Sequence, residues 1–203
     1  MSSNYISKPH FSGLDTLHLY YVDILTYVTI RSFRNPDNHN CYPAYETIAK
    51  RMGASKSFVM DSVKRLESSG YMRIHKIAYL SNQYYFTPFD ITDRVPTEFF
   101  NLDLTIYEKS MLLVIRQFCV GLPHITFSSI KQISINFGVS YKTIHKQITS
   151  LIEKGYVKQR VIKKTGEKDG FDISPMIDWL FKYDWPDKKD VSYVETLEKL
   201  ILT

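Results

Sequence analysis

The chain has 203 residues, 44% of them hydrophobic, with 26 Lys and Arg against 21 Asp and Glu. That length holds one large domain or two small ones. No apolar run reaches the roughly 18 residues of a membrane span, and MSSNYISKPHFSG lacks a signal peptide's apolar core, so a cytoplasmic location is expected. Cys41 and Cys119 have no CxxC neighbour and read as free thiols, with no metal and no cofactor expected. The charge is uneven: residues 1–95 hold 11 cations to 8 anions, residues 96–170 hold 11 to 6, and residues 171–203 hold 4 to 7. A basic body with an acidic tail suits a polyanionic partner.

Along the chain, residues 14–33 carry Leu17, Tyr20, Tyr21, Ile24, Tyr27, Val28 and Phe33 at helical spacing, which predicts one long, mostly buried first helix. RNPDNHNCYP (34–43) reads as a loop, and Pro43 suits the entry to a second helix. That helix buries Ile48, Ala49 and Met52 and stops at Gly53, a residue that takes the left-handed conformation cheaply. Ser55 caps a third helix with Val59, Val63 and Leu66 as its inward stripe, ended by Gly70. Segments 72–80 and 83–89 flank Ser81-Asn82 and read as a hairpin.

The same order then returns. MGASKSFVMDSVKRLESSGYMRI (52–74) and FGVSYKTIHKQITSLIEKGYVKQRVI (137–162) match without a gap at one constant offset. Gly53 falls on Gly138, Ser55 on Ser140, Val59 on Ile144, Val63 on Ile148, Leu66 on Leu151, and Gly70-Tyr71 on Gly155-Tyr156. Phe33 and Phe118 carry the register back to the end of each first helix. Two copies are too few for a solenoid and read as one small domain made twice.

Residues 90–103 form a linker with some structure, in which Phe99, Phe100 and Leu102 are expected to pack. Thr105-x-x-Glu108 opens the next helix with a capping box. Residues 120–129 read as a loop, SIKQISINF as a helix, and VKQRVI and GFDIS as hairpin strands around KKTGEKDG (163–170). A short helix begun by Pro175 and an amphipathic helix over 191–202 end the chain. The fold class expected is mainly α with small β-hairpins, α+β. It divides into winged helix-turn-helix domains over 1–95 and 96–174 and a helical tail over 175–203.

A helix that ends at Gly and restarts at a Ser cap is a helix-turn-helix, and a following hairpin makes it winged. PAYETIAKRMGASKSFVMDSVKRLESSGYM resembles the winged-helix domain at the N-terminus of many phage and plasmid replication proteins. The tandem arrangement, over roughly residues 14–170, resembles plasmid replication initiators. The resemblance implies a sequence-specific double-stranded DNA-binding protein. It puts Lys56, Ser57 and Phe58, and Tyr141, Lys142 and Thr143, at base-reading positions in the first turn of each third helix. The rest of those outer faces is Met60, Asp61 and Lys64 in one copy and His145, Lys146 and Thr149 in the other. Lys50, Arg51, Lys64, Arg65, Lys131 and Lys146 are expected at phosphates. The wings offer Arg73, His75 and Lys76 in the first copy, and Lys158, Arg160, Lys163, Lys164 and Lys168 in the second.

Two other functions use the same parts. A transcriptional regulator would bind DNA in the same way. A tandem winged-helix interaction module would not bind it, and Phe58 and Met60 would then mark a protein interface. The expected partners are double-stranded DNA and replication or transcription proteins, with no membrane. The end helix either caps the second domain or makes a homodimer contact. No enzyme is expected: no carboxylate cluster, His-x-His pair, GxSxG or GxxxxGK[ST] is found.

Overall fold

The computed structural model describes residues 5–11, 14, 16–76, 81–88, 91–117, 125–126, 130–161 and 168–173. The expected tail helices, Phe118, Cys119, and the Lys163 and Lys164 positions lie outside the described residues. A first strand, β1 (Tyr5–Pro9), leads to α1 (Asp23–Arg31), α2 (Tyr45–Met52) and α3 (Lys56–Ser68). The hairpin β2 (Met72–His75) and β3 (Gln83–Phe86) follows. Then β4 (Ile91–Pro96) and a 3-10 helix (Thr97–Asn101) lead to α4 (Ile106–Gln117). β5 (Ile125–Thr126), α5 (Ile130–Phe137), α6 (Tyr141–Glu153), β6 (Val157–Val161) and β7 (Lys168–Ile173) complete the described chain. Helices plus small antiparallel sheets make the fold α+β.

The local chemistry is the same in both halves. Gly53 ends α2 with φ 77°, and Gly138 follows α5 with φ 60°. The Ser55 hydroxyl accepts the Phe58 N–H (3.2 Å), and the Ser140 hydroxyl accepts the Thr143 N–H (3.1 Å). Each satisfies one of the N–H groups that a helix start leaves over. The offset that carries Gly53 onto Gly138 also carries both bounds of α2 onto those of α5, and both bounds of α3 onto those of α6. Val59, Val63 and Leu66 are buried, as are Ile144, Ile148 and Leu151.

The first helix is shorter than its spacing predicts. Residues before Asp23 make turns, His18 sits at φ 54°, and Leu17 and Tyr20 are exposed. The Asp23 carboxylate accepts the Tyr20 N–H at 2.8 Å, and the helix starts at Asp23 with Val22 as its N-cap and no side-chain cap bond. At the counterpart position Glu108 accepts the Thr105 N–H (2.7 Å) while the Thr105 hydroxyl accepts the Glu108 N–H (3.3 Å), which is the expected capping box.

The expected linker is in part a strand. β4 pairs antiparallel with β1, Lys8 opposite Asp93 and Ile6 opposite Val95. In the register of the repeat Ile91 is the counterpart of Ile6, so the repeat restarts inside the expected linker. Phe99 is buried, and Phe100 and Leu102 pack at the core's edge. The chain after β1 enters the first core, where Phe11 stacks on Tyr71 at 4.3 Å. The Gln117 amide, at the end of α4, accepts the Phe11 N–H (3.0 Å) and donates to the Phe11 carbonyl (3.2 Å). α1 packs against α4. Part of the expected 120–129 loop is strand: β5 pairs with β7, giving a three-stranded sheet in the order β5-β7-β6.

Candidate nucleic-acid interface

α3 and α6 each bury one stripe against the preceding helices and leave the opposite face to solvent. On α3 that face holds Lys56, Ser57, Asp61 and Lys64, all exposed, with Phe58 and Met60 half-buried. Its cations have acidic neighbours. Lys56 Nζ lies 2.5 Å from Glu46 of α2, and Lys64 Nζ lies 3.5 Å from Asp61. Both pairs are solvent-exposed and so worth little to stability. They do lower the positive potential that this face presents.

Arg65 and Arg51, both expected at phosphates, are turned inward. Arg65 donates through Nε (2.8 Å) and Nη2 (2.7 Å) to the buried Asp23 carboxylate, and its guanidinium lies 4.6 Å from the Tyr20 ring. Ser62 donates to the same carboxylate at 2.5 Å. Hydrogen bonding to Asp23 pushes the Arg65 pKa up. Arg51 sits between the rings of Phe33 (4.7 Å) and Phe100 (4.8 Å), and burial pushes its pKa down. These guanidiniums tie α3 to α1 and α2 to the 3-10 helix. Lys50, Arg73 and Lys76 are exposed.

On α6 the outer face is different. Tyr141, Lys142, His145 and Lys146 are exposed, and Thr143 and Thr149 are half-buried. The Tyr141 and His145 rings lie 5.9 Å apart at 31°, and the Thr149 hydroxyl is 3.4 Å from His145 Nδ1. The Thr143 hydroxyl is 2.8 Å from that of Ser140. Lys131, on α5, is exposed, and Ile135 beside it is 66% exposed. None of Lys131, Lys142 and Lys146 forms an ion pair with a described residue. Arg160 lies on β6, and Lys158 there is exposed.

The back of α6 is held as that of α3 is. Glu108 accepts Ser150 Oγ (2.5 Å) and Lys154 Nζ (2.9 Å). Burial alone would raise its carboxyl pKa, but these bonds and those from Thr105 outweigh it and bring it down to about 2. In the register of the repeat Asp23 is the counterpart of Glu108, and Arg65 that of Ser150. Sequence reasoning missed this anchor, although the register aligned the two carboxylates.

A family model described as a helix-turn-helix domain matches residues 19–72. The match spans α1, α2 and α3 and ends at the first residue of β2. A helix-turn-helix domain suggests double-stranded DNA as the partner. No curated protein and no solved structure matches the chain. Among the described residues no helix is long and apolar enough to cross a membrane.

Proposed function

We propose that the chain is a sequence-specific double-stranded DNA-binding protein with two winged helix-turn-helix units, without catalytic activity, and that it initiates replication of a phage or plasmid. The observation that carries the DNA reading is the outer face of α6. A Ser-capped helix start presents Tyr141, Lys142, Thr143, His145 and Lys146, with no acidic partner for either lysine among the described residues. In helix-turn-helix proteins the N-terminal part of this helix enters the major groove. There lysine and hydroxyl groups bond base edges, and an aromatic edge or the Thr143 methyl meets a thymine methyl.

The second unit supplies most of the affinity in this reading, because the cations of α3 are compensated within the protein. Lys50, Lys131, Arg73 and Lys76 position the duplex through phosphates. Arg51 and Arg65 hold the reading elements in place and leave the phosphates to others. Lys163 and Lys164, outside the described residues, add two cations between β6 and β7 in the sequence. The replication role rests on the resemblance of residues 43–72 and of the tandem order to plasmid and phage initiators. A transcriptional regulator would use the same face.

Selection of bound duplexes from a random pool tests the reading. The full chain is expected to enrich a defined sequence, and Lys142→Ala with Thr143→Ala to lose that preference, by about 1–3 kcal/mol per base contact. Equal affinity of parent and variant for every sequence would contradict it. Recovered sites iterated at an origin support initiation, whereas single sites upstream of promoters support the regulator.

A further inference from the structure

Arg51 carries a charge that no described residue answers. The rings of Phe33 and Phe100 cover its guanidinium at 4.7 and 4.8 Å. A guanidinium holds its N–H donors in its own plane, so stacked rings leave them all unused. None of those of Arg51 bonds or pairs with a described residue. Burial pushes its pKa down, and no carboxylate offsets that. In the proposed DNA reading Arg51 takes no duplex phosphate, so its fork still lacks an acceptor.

That fork edges a cavity of about 690 Å³ between α2 and the 3-10 helix. Small-molecule sites run from about 300 to 1,000 Å³. Thr47, Lys50 and Arg51 line it from α2, and Thr97, Glu98 and Asn101 from the 3-10 helix. Two cations thus stand against one carboxylate. Glu98 lies 3.4 Å from the Thr97 hydroxyl and forms an ion pair with neither cation. The second unit lacks the set: Gln132, Ile135 and Asn136 are the counterparts of Thr47, Lys50 and Arg51. The repeated helix therefore forms without these cations, and they are particular to the first unit.

We propose that this cavity binds a small phosphomonoester whose organic part carries hydroxyl groups, a sugar phosphate or a nucleotide. A carboxylate has two oxygens, and one arginine fork occupies both. A phosphomonoester has three terminal oxygens and about 1.5 to 2 negative charges at neutral pH. That suits the Arg51 fork together with the Lys50 ammonium, with the Thr47 and Thr97 hydroxyls and the Asn101 amide as further donors. A phosphodiester of the duplex carries one charge and one oxygen fewer, and fits less well. Glu98 is the one anionic acceptor among the lining residues. It takes a hydroxyl of the ligand and would repel a second phosphate.

Calorimetric titration of the full chain, without DNA, tests this with inorganic phosphate, ribose 5-phosphate, adenosine 5′-monophosphate and succinate. Saturable binding of the esters is expected, tighter than that of inorganic phosphate, with succinate weaker than either ester. Equal affinity for the two esters assigns a sugar phosphate, and tighter binding of the adenosine ester assigns a nucleotide. Arg51→Lys keeps the charge, loses the fork and should weaken the esters about tenfold. If that variant does not fold, Lys50→Ala, at an exposed position whose counterpart is uncharged, should weaken them by about as much. Glu98→Ala should remove the advantage of the esters over inorganic phosphate. A chain that binds neither ester, succinate bound as tightly as the esters, or a Lys50→Ala variant with parental affinity would overturn the inference. Any of these leaves the DNA reading standing, whereas a chain that binds the esters but enriches no duplex loses only that reading.

Discussion

Asp23 and Glu108 each receive a backbone N–H at the start of a helix and hold the backs of α3 and α6 through the same counterpart position. They use different partners, a guanidinium in one case and a hydroxyl with a surface ammonium in the other. Removing a buried, charged partner strands the groups it served. Asp23→Ala is expected to cost about 3 kcal/mol, read as a lower midpoint in chemical denaturation. Glu108 adds a pH signature. Its folded pKa of about 2 lies below the ordinary 4.5, so the unfolded chain takes up protons first as pH falls. The stability it contributes is complete above about pH 4.5 and is lost between there and about pH 2. The stability gap between the parent and Glu108→Gln should shrink through that window, and a gap independent of pH would contradict the assignment. At this scale helical spacing did not show which partners inside the chain hold Arg51 and Arg65. Lys142 and Lys146 stand where helical spacing puts them, on an open face. Arg65 and Arg51 have the same charge, but a buried carboxylate and two aromatic rings decide their place, and those partners come from distant parts of the chain.

Elements that rest on local chemistry were the legible ones. Gly53, Gly70 and Gly155 all sit at positive φ, and Ser55 and Ser140 cap α3 and α6. A Cβ at Gly155 would meet nothing within 4 Å, so Gly155→Ala is expected to cost only the left-handed backbone term of about 1–2 kcal/mol. Ser140→Ala should cost about 1 kcal/mol by freeing the Thr143 N–H. A thermal melt checks both. Val63 is wholly buried under α3, so Val63→Asp should abolish folding of the first unit, read by loss of helical circular dichroism. Where an element depends on a remote partner, local pattern failed. β1 and β4 are short, and each gains its strand from the far side of a whole intervening unit, α1 to β3. The helical spacing of residues 14–22 was fortuitous, because Leu17 and Tyr20 face solvent and the residues just before Asp23 make turns.

For the whole molecule, a repeat visible in glycines, caps and core stripes places two like helices on one body, and their outer faces set what the body can bind. The first face is balanced by its own acidic residues, while the second is left cationic. Net charge along the sequence suits a polyanionic partner but does not separate the two faces: of the pairs on the first face, Lys64 with Asp61 lies within α3, while Lys56 with Glu46 crosses from α3 to α2. Lys163→Ala with Lys164→Ala should weaken binding to every duplex alike, since cations that meet phosphates position a protein without specifying sequence. The most direct test of the central claim is the salt dependence of binding of the full chain to a selected duplex, beside Lys142→Ala with Lys146→Ala. With about six phosphates neutralised, log K should fall with log salt at a slope near −5, and the variant should bind more weakly with a slope shallower by about 1, the share of the Lys146 phosphate contact. A parent whose binding ignores salt, or a variant that keeps both affinity and slope, would contradict the claim that the outer face of α6 meets DNA.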